Sequence, residues 1–194
     1  MTTGKEAATN NSDIHSLDSE AASAACKDTH RVKERGGNLN SSRQEKDSSQ
    51  PEADTFHFNT QVKVRLPETD AMGIVFHGNY FTYLEVGRVD YLLNLDLAEG
   101  LRPIREFENV VVAAHLDFKS PARLHDLLSI DVCTREIRNS SFTFGFRIRH
   151  KNENRIVALG YTTHCAIDQD FKPIEVPQNF RATISRYEGW KDRS

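Results

Sequence analysis

One acidic side chain of this sequence, Asp70, lies on a loop directly ahead of an apolar segment that begins near Asn79. The loop contains Gly73 and Gly78, and His77 lies between these two glycines. A carboxylate beside a helix N-terminus faces unpaired backbone N–H groups and the positive end of the helix dipole. Because a nucleophile or base would lie beside an anion-stabilising site, the pattern predicts chemistry at this loop.

Each residue of this loop also has a purely structural interpretation. An Asp ahead of a helix commonly caps it or forms a turn. Asp70 precedes Asn79 by nine positions, too far for simple capping, so catalysis is the favoured interpretation. Asn79 itself is predicted to be the N-cap, with positioning of a carbonyl or water as the alternative. The His77 imidazole fits a structural hydrogen-bonding role or a substrate contact equally well.

Two elements are predicted to position the loop. Residues 56–66 alternate in polarity as a strand does, and Pro67 ends that strand. From residue 79 to about residue 97, apolar side chains recur near the helical period and spread around most of the circumference, which predicts a helix buried on several sides. Gly87 costs such a helix stability, so we expect a neighbouring element to approach closely there.

Strand patterns follow the helix at residues 110–118, 127–138, 141–150 and 155–168. In the third of these, aromatic and aliphatic side chains alternate with polar ones, which predicts one face on a core and one face toward solvent or ligand. Short polar turns separate the last three segments, as hairpins require. The sequence therefore predicts an α+β domain in which an antiparallel sheet of about five strands wraps around one long central helix.

The first 55 residues differ in composition from the rest of the 194-residue chain, since no Phe, Trp or Tyr precedes Phe56. A segment so poor in apolar residues is predicted to be disordered, which leaves residues 56–194 as one domain. The chain has 25 Lys and Arg against 28 Asp and Glu; the first 55 residues hold 7 and 10, so 18 of each remain. A formally neutral domain argues against nucleic acid or an anionic membrane as partner.

The three cysteines, Cys26, Cys133 and Cys165, show no CxxC spacing, and any disulfide would leave one unpaired. This usage favours a reducing compartment, and we predict a cytoplasmic location. A plastid or mitochondrial transit peptide is the alternative for the Ser-rich N-terminus, although its many acidic residues argue against one. No apolar run is long enough to span a membrane, and the histidines show no metal-ligand spacing, so neither a span nor a metal is expected.

The segment from Glu68 to Tyr80, ETDAMGIVFHGNY, followed by Tyr83-Leu84-Glu85 and Arg88, resembles the 4-hydroxybenzoyl-CoA thioesterase family of the hotdog fold. It is most similar to the branch of acyl-CoA thioesterases associated with Tol-Pal genes. The resemblance covers residues 56 to about 185. It implies hydrolysis of an acyl-CoA, or of an acyl carrier protein thioester, to free acid and thiol, with no cofactor, by a homodimer or homotetramer whose sites are shared between subunits.

The resemblance also implies roles for individual residues. Asp70 would be the catalytic carboxylate, as nucleophile or general base, and the backbone N–H groups of His77 and Gly78 would polarise the thioester carbonyl. Asn79 and Glu85 would lie near the substrate, although a structural hydrogen bond is the favoured role for Glu85. In the turn between the third and fourth strands, Arg138 and Ser141 match family positions that contact CoA. The substrate-binding candidates that the resemblance implies are therefore Asn79, Glu85, Arg138 and Ser141.

Two other functions are compatible with the same sequence. A hotdog hydratase would add water to an enoyl thioester through an acid and a histidine, and Asp70 with His77 superficially supplies that pair. A module that binds acyl thioesters without turning them over would use the same pocket. The acyl group, the choice between CoA and a carrier protein, and the number of subunits are not determined by one sequence.

Overall fold

The computed structural model describes residues 56–98, 104 and 106–190. The predicted disorder of residues 1–55, and Cys26 with it, lies outside the described residues. The described residues contain five strands, β1 (Phe58–Lys63), β2 (Glu108–Phe118), β3 (Leu127–Ile137), β4 (Ser141–His150) and β5 (Ile156–Ile167). Two α-helices, α1 (Asn79–Asn94) and α2 (Gln178–Tyr187), and one 3₁₀ turn (Leu66–Glu68) complete the described elements.

The strands form one antiparallel sheet in the order β1-β3-β4-β5-β2. The predicted α+β class and five-stranded sheet are therefore confirmed. β4 has the predicted bounds. Each side chain of its inner face is at most 1% exposed: Phe142, Phe144, Phe146 and Ile148. An alternation this strong leaves no other register for the strand.

Helix α1 packs on the inner face of the sheet with one side only, contrary to the prediction of burial on several sides. Tyr83, Leu84, Gly87 and Tyr91 are buried, whereas Leu93 on the opposite side is 51% exposed. Among the described residues, no second layer covers the outer side of the helix, so apolar side chains such as Leu93 stay exposed there. At Gly87, a Cβ would lie 2.8 Å from Ile130 Cγ2, which explains the glycine that the sequence places there.

Helix α2, at the end of the domain, was not predicted. Pro177 precedes it, and Phe180 and Ile184, four residues apart, are fully buried. The ring of Phe180 lies 5.1 Å from that of Phe142, so the helix closes the core at the end of the sheet where β4 begins. None of the helices in the described residues has the length and hydrophobicity that a membrane span requires.

Candidate active site

The loop that carries Asp70 is a tight reversal closed by the pairing of Thr69 with Val75. The Asp70 N–H donates to the Ile74 carbonyl at 2.8 Å, and the Gly73 N–H donates to the Asp70 carbonyl at 2.9 Å. Gly73 has a φ of 71°, a left-handed conformation that glycine adopts without steric cost. The loop is thus held by its own backbone before any side chain contributes.

The Asp70 carboxylate is fixed within this loop. Its Oδ1 accepts a hydrogen bond of 2.8 Å from the Met72 N–H, an interaction of the Asx-turn kind. Asp70 therefore does have the structural role of a turn Asp. The turn uses one carboxylate oxygen, and the residue remains partly exposed beside a cavity. A turn role and a chemical role are compatible here.

A buried carboxylate, Glu68, anchors the loop to helix α1. The Tyr83 hydroxyl donates to Glu68 Oε2 at 2.6 Å, and the Arg65 N–H donates to the same oxygen at 2.8 Å. Burial would raise the pKa of Glu68, but the hydrogen bonds from Tyr83 and Arg65 outweigh it and lower the pKa. Glu68 is thus held as a carboxylate two residues before Asp70, so the start of the loop keeps a fixed position on the helix.

Sequence reasoning missed the roles of Glu68 and Tyr83, although both lie in the segment that carried the family resemblance. A signal was present, because Glu68 follows Arg65 by three residues and closes a capping box around the 3₁₀ turn. The predicted N-cap at Asn79 is wrong. Gly78 is the N-cap of α1, and the Asn79 side chain donates through Nδ2 to the Glu68 carbonyl at 2.8 Å. Asn79 therefore fastens the loop to the helix.

The start of helix α1 presents free donors next to the loop. Gly78 has no side chain to cap the helix, and the N–H groups of Asn79, Tyr80 and Phe81 are satisfied by the carbonyls of the three residues before Asn79. Within the described part of the chain, the N–H groups of His77 and Gly78 have no acceptor. Two backbone donors at the positive end of a helix dipole form a site for an anion or a polarised carbonyl.

A cavity of about 460 Å³ brings the loop and the helix start together. Its wall includes the following residues: Asp70, Ile74, His77, Tyr80, Phe118 and Lys119. Two of them, Tyr80 and Phe118, pack edge to face with ring centroids 5.2 Å apart, which fixes the apolar side of the cavity. The structure thus places Asp70 and His77 at one cavity, which has apolar side chains on one side and ionisable side chains on the other.

The remaining predicted site residues lie elsewhere. Glu85 is half exposed and receives a hydrogen bond of 3.0 Å from Arg88 Nε, consistent with the structural role favoured from the sequence. Arg138 pairs with Glu136 on the surface at 3.0 Å, and Ser141 is buried at the first position of β4. Both lie at the start of β4, whereas the Asp70 loop lies toward the other end of that strand, and the ten residues of β4 span about 30 Å. One subunit therefore does not bring them to its own Asp70.

The arrangement around Asp70 suits attack on a carbonyl. A carboxylate can act as a nucleophile or activate water, while two N–H donors stabilise the oxyanion that develops. Among the described residues, no group of three His, Cys, Asp or Glu side chains is arranged to hold a metal ion. The expectation of a metal-free, cofactor-free site stays a prediction.

A five-stranded antiparallel sheet wrapped around one helix, with a carboxylate loop at the N-terminus of that helix, defines a hotdog-fold protein of the thioesterase type. Comparison with known proteins agrees with this class. The family model of the thioesterase-like superfamily matches residues 64–184. The chain belongs to that superfamily, and the family resemblance of its sequence is confirmed.

Relatives of this chain are named as thioesterases. The acyl-CoA thioesterase YbgC of Haemophilus influenzae is 26% identical over 128 residues, 66% of this chain and 93% of the relative. The long-chain acyl-CoA thioesterase FadM of Escherichia coli is 30% identical over 109 residues, 56% of this chain and 82% of the relative. A thioesterase of Thermus thermophilus, solved with coenzyme A and zinc, superposes with a TM-score of 0.62 at 22% identity, covering 71% of this chain and 99% of that one. The last comparison shows the shared fold. By family and by its relatives, the protein is a thioester hydrolase.

Proposed function

We propose that this protein hydrolyses an acyl-CoA to the free acid and CoA, with Asp70 as the catalytic carboxylate. One observation carries the proposal: Asp70 shares a cavity with His77, at the start of helix α1, where backbone N–H groups have no acceptor among the described residues. The names of the relatives support acyl-CoA as the substrate class. The proposal covers aliphatic and aromatic acyl groups.

In the proposed reaction, the thioester carbonyl oxygen accepts hydrogen bonds from the His77 and Gly78 N–H groups. Asp70 then either attacks the carbonyl carbon, forming an anhydride that water cleaves, or removes a proton from a water that attacks directly. In both routes the C–S bond breaks, the thiolate of CoA leaves and takes up a proton, and the acyl carboxylate is released. One well-aimed oxyanion donor lowers such a barrier by roughly 3 kcal/mol.

The test measures thiol release from acyl-CoA and acyl carrier protein substrates with short, long and aromatic acyl groups. We expect Asp70→Asn to reduce kcat by about a hundredfold or more, because the amide is neither base nor nucleophile. Asp170→Asn is the matched control, since Asp170 is exposed and pairs only loosely with Lys172, at 3.6 Å. Equal turnover by the wild type and Asp70→Asn would overturn the assignment of Asp70.

Two further measurements separate the alternatives. His77→Ala keeps the backbone N–H and removes the imidazole, so retained turnover supports the N–H role, whereas loss of turnover assigns the reaction to the ring. With crotonyl-CoA, a fall in enoyl absorbance without thiol release would replace hydrolysis by hydration. If no acyl thioester is turned over but acyl-CoA binds, the protein is a binding module.

We also propose that the active unit is a homo-oligomer built on strand β2. β2 is an eleven-residue edge strand, and no described strand pairs with its outer edge, where Val111 and Val112 are 56% and 38% exposed. A long exposed apolar edge invites pairing with a second copy. A partner would also supply the Arg138–Ser141 turn that a single subunit holds about 30 Å from its own site. Sedimentation that finds only monomer at concentrations supporting turnover would refute this.

A further inference from the structure

One side of the cavity is formed by an irregular stretch of chain, residues 119–122, which follows strand β2 and is called the wall segment below. Ser120 and Pro121 of this segment line the same cavity as Asp70. The sheet still holds its first part, because the Ser120 N–H donates to the Val157 carbonyl at 3.2 Å. Pro121 has no backbone N–H to donate, so the segment depends on other contacts from there onward.

Backbone pairing joins the wall segment to the loop that carries Asp70. The Ala122 carbonyl accepts a hydrogen bond of 2.9 Å from the Val75 N–H, and the next residue, Arg123, pairs with Ile74 in an antiparallel bridge. The Ile74 carbonyl in turn accepts a hydrogen bond of 2.8 Å from the Asp70 N–H. A displacement of the wall segment would therefore be passed on to the backbone of Asp70.

The start of helix α1 meets the wall segment at Tyr80, which lines the cavity and is 3% exposed. Burial raises the pKa of the Tyr80 hydroxyl, whereas a hydrogen bond from the Ala122 backbone and the charge of Arg155 act in the opposite direction. Both neighbours lie at the wall segment, so the Tyr80 hydroxyl does as well. The wall segment thus contacts both parts of the site, the carboxylate loop and the helix start.

Arg155, in the turn between β4 and β5, holds the wall segment through its guanidinium. Its Nη1 donates to Ser120 Oγ at 2.7 Å and to the Pro121 carbonyl at 2.8 Å. The Ser120 hydroxyl donates its own hydrogen to the Ile156 carbonyl at 2.6 Å. The Nε of Arg155 donates to Glu153 Oε2 at 2.6 Å. The planar guanidinium is therefore fixed at two edges, which sets the direction of its bonds to the wall segment.

We propose that Arg155 is a positioning residue of the candidate active site, which keeps the Asp70 carboxylate aligned with the oxyanion donors by holding the wall segment in place. The inference rests on the proposed thioesterase function. Arg155 is not among the residues that line the cavity, so it acts through Ser120 and Pro121 and not on the substrate. Hydrogen bonds from a cation are roughly twice as strong as neutral ones, and a displacement of about 1 Å at a reacting group can cost about a hundredfold in rate.

The experiment measures kcat and KM separately, by thiol release from the acyl-CoA that the wild type hydrolyses best, together with urea unfolding of each protein. We expect Arg155→Met to lower kcat by about tenfold and to change KM by less than about threefold, because the loss acts on the alignment of the reacting groups. Lys172→Met is the matched control, since it removes a cation whose side chain is 73% exposed, and it should keep the wild-type values.

A merely structural role of Arg155 would lower the free energy of unfolding and leave the kcat of the folded variant unchanged, and this result would overturn the proposal. A raised KM at constant kcat would also overturn it, because Arg155 would then serve binding alone.

A second variant keeps the proposal testable if Arg155→Met does not fold. Ser120→Ala removes one of the two oxygens that the guanidinium binds and should lower kcat by about threefold. A wild-type kcat in Ser120→Ala overturns the proposal. If the wild type releases no thiol from any acyl-CoA, the proposed function fails first, and the two failures are thereby distinguished.

Discussion

Lowering the pH should destabilise this domain through one buried histidine, His164. Burial, and after it the charge of Arg88, lowers the pKa of His164 to about 3. The neutral ring satisfies both neighbours, since Nδ1–H can donate to Asn109 Oδ1 while Nε2 accepts from the Thr162 hydroxyl. The folded protein therefore keeps this ring neutral at any pH well above 3.

The sign of the effect follows from proton uptake. In the unfolded chain His164 titrates near its ordinary value of 6.5. Below that pH the unfolded state binds a proton that the folded state refuses, so the free energy of unfolding falls as the pH falls. The loss is about 1.4 kcal/mol per pH unit, which gives about 2 kcal/mol at about pH 5 and a limit of about 5 kcal/mol near pH 3.

The assay is urea unfolding of the wild type and His164→Gln at about pH 7.5 and about pH 5. The amide of the variant can form hydrogen bonds but does not titrate. Other titrating groups, such as Glu188 with its raised pKa, contribute equally to both proteins and cancel in the difference. The wild type should lose about 2 kcal/mol more than the variant between the two pH values. Equal losses would refute the assignment of a neutral, buried His164.

Two further changes probe the contacts that position the site. Tyr83→Phe removes the 2.6 Å hydrogen bond to buried Glu68 and should cost about 1–3 kcal/mol in urea unfolding; no measurable loss would mean that Arg65 alone satisfies the carboxylate. Gly87→Ala should cost about 1–3 kcal/mol despite its better helix propensity, because the new Cβ would lie 2.8 Å from Ile130 Cγ2. Thr82→Ala, at an exposed position of α1, is the control, and a stabilised Gly87→Ala would contradict the close packing.

Strands and helix α1 were predictable from the sequence because each carries its own periodic signal. The alternation from Phe142 to Ile148 set both ends of β4, and the apolar run after Asn79 set the start of α1. Helix α2 escaped prediction because only Phe180 and Ile184 bury in it, and two side chains four residues apart do not define a period. Its stability comes from tertiary packing on Phe142, which local sequence does not report.

The candidate site was predictable only in part, for a related reason. Asp70 and His77 lie close together in the chain, so the loop that joins them could be recognised as one unit. The contact of Glu68 with Tyr83 spans fifteen residues and a change from loop to helix. This hydrogen bond forms only because the 3₁₀ turn packs against α1, a tertiary contact that the local sequence does not report. The catalytic role of Asp70 and the substrate roles of the other candidates stay predictions until they are measured.

The position of the Arg138–Ser141 turn ties substrate recognition to assembly. Arg181 donates to the carbonyls of Arg138 and Asn139, and the Arg138 N–H donates to the Ser141 carbonyl at 2.7 Å. This rigid turn is anchored at the end of the sheet opposite to Asp70. If it binds the nucleotide of CoA, as the family resemblance implies, the thioester of that CoA must reach the Asp70 of another subunit. A change that prevents pairing through β2 would then also abolish the turnover of CoA substrates. The turnover of a thioester that lacks the nucleotide would fall less.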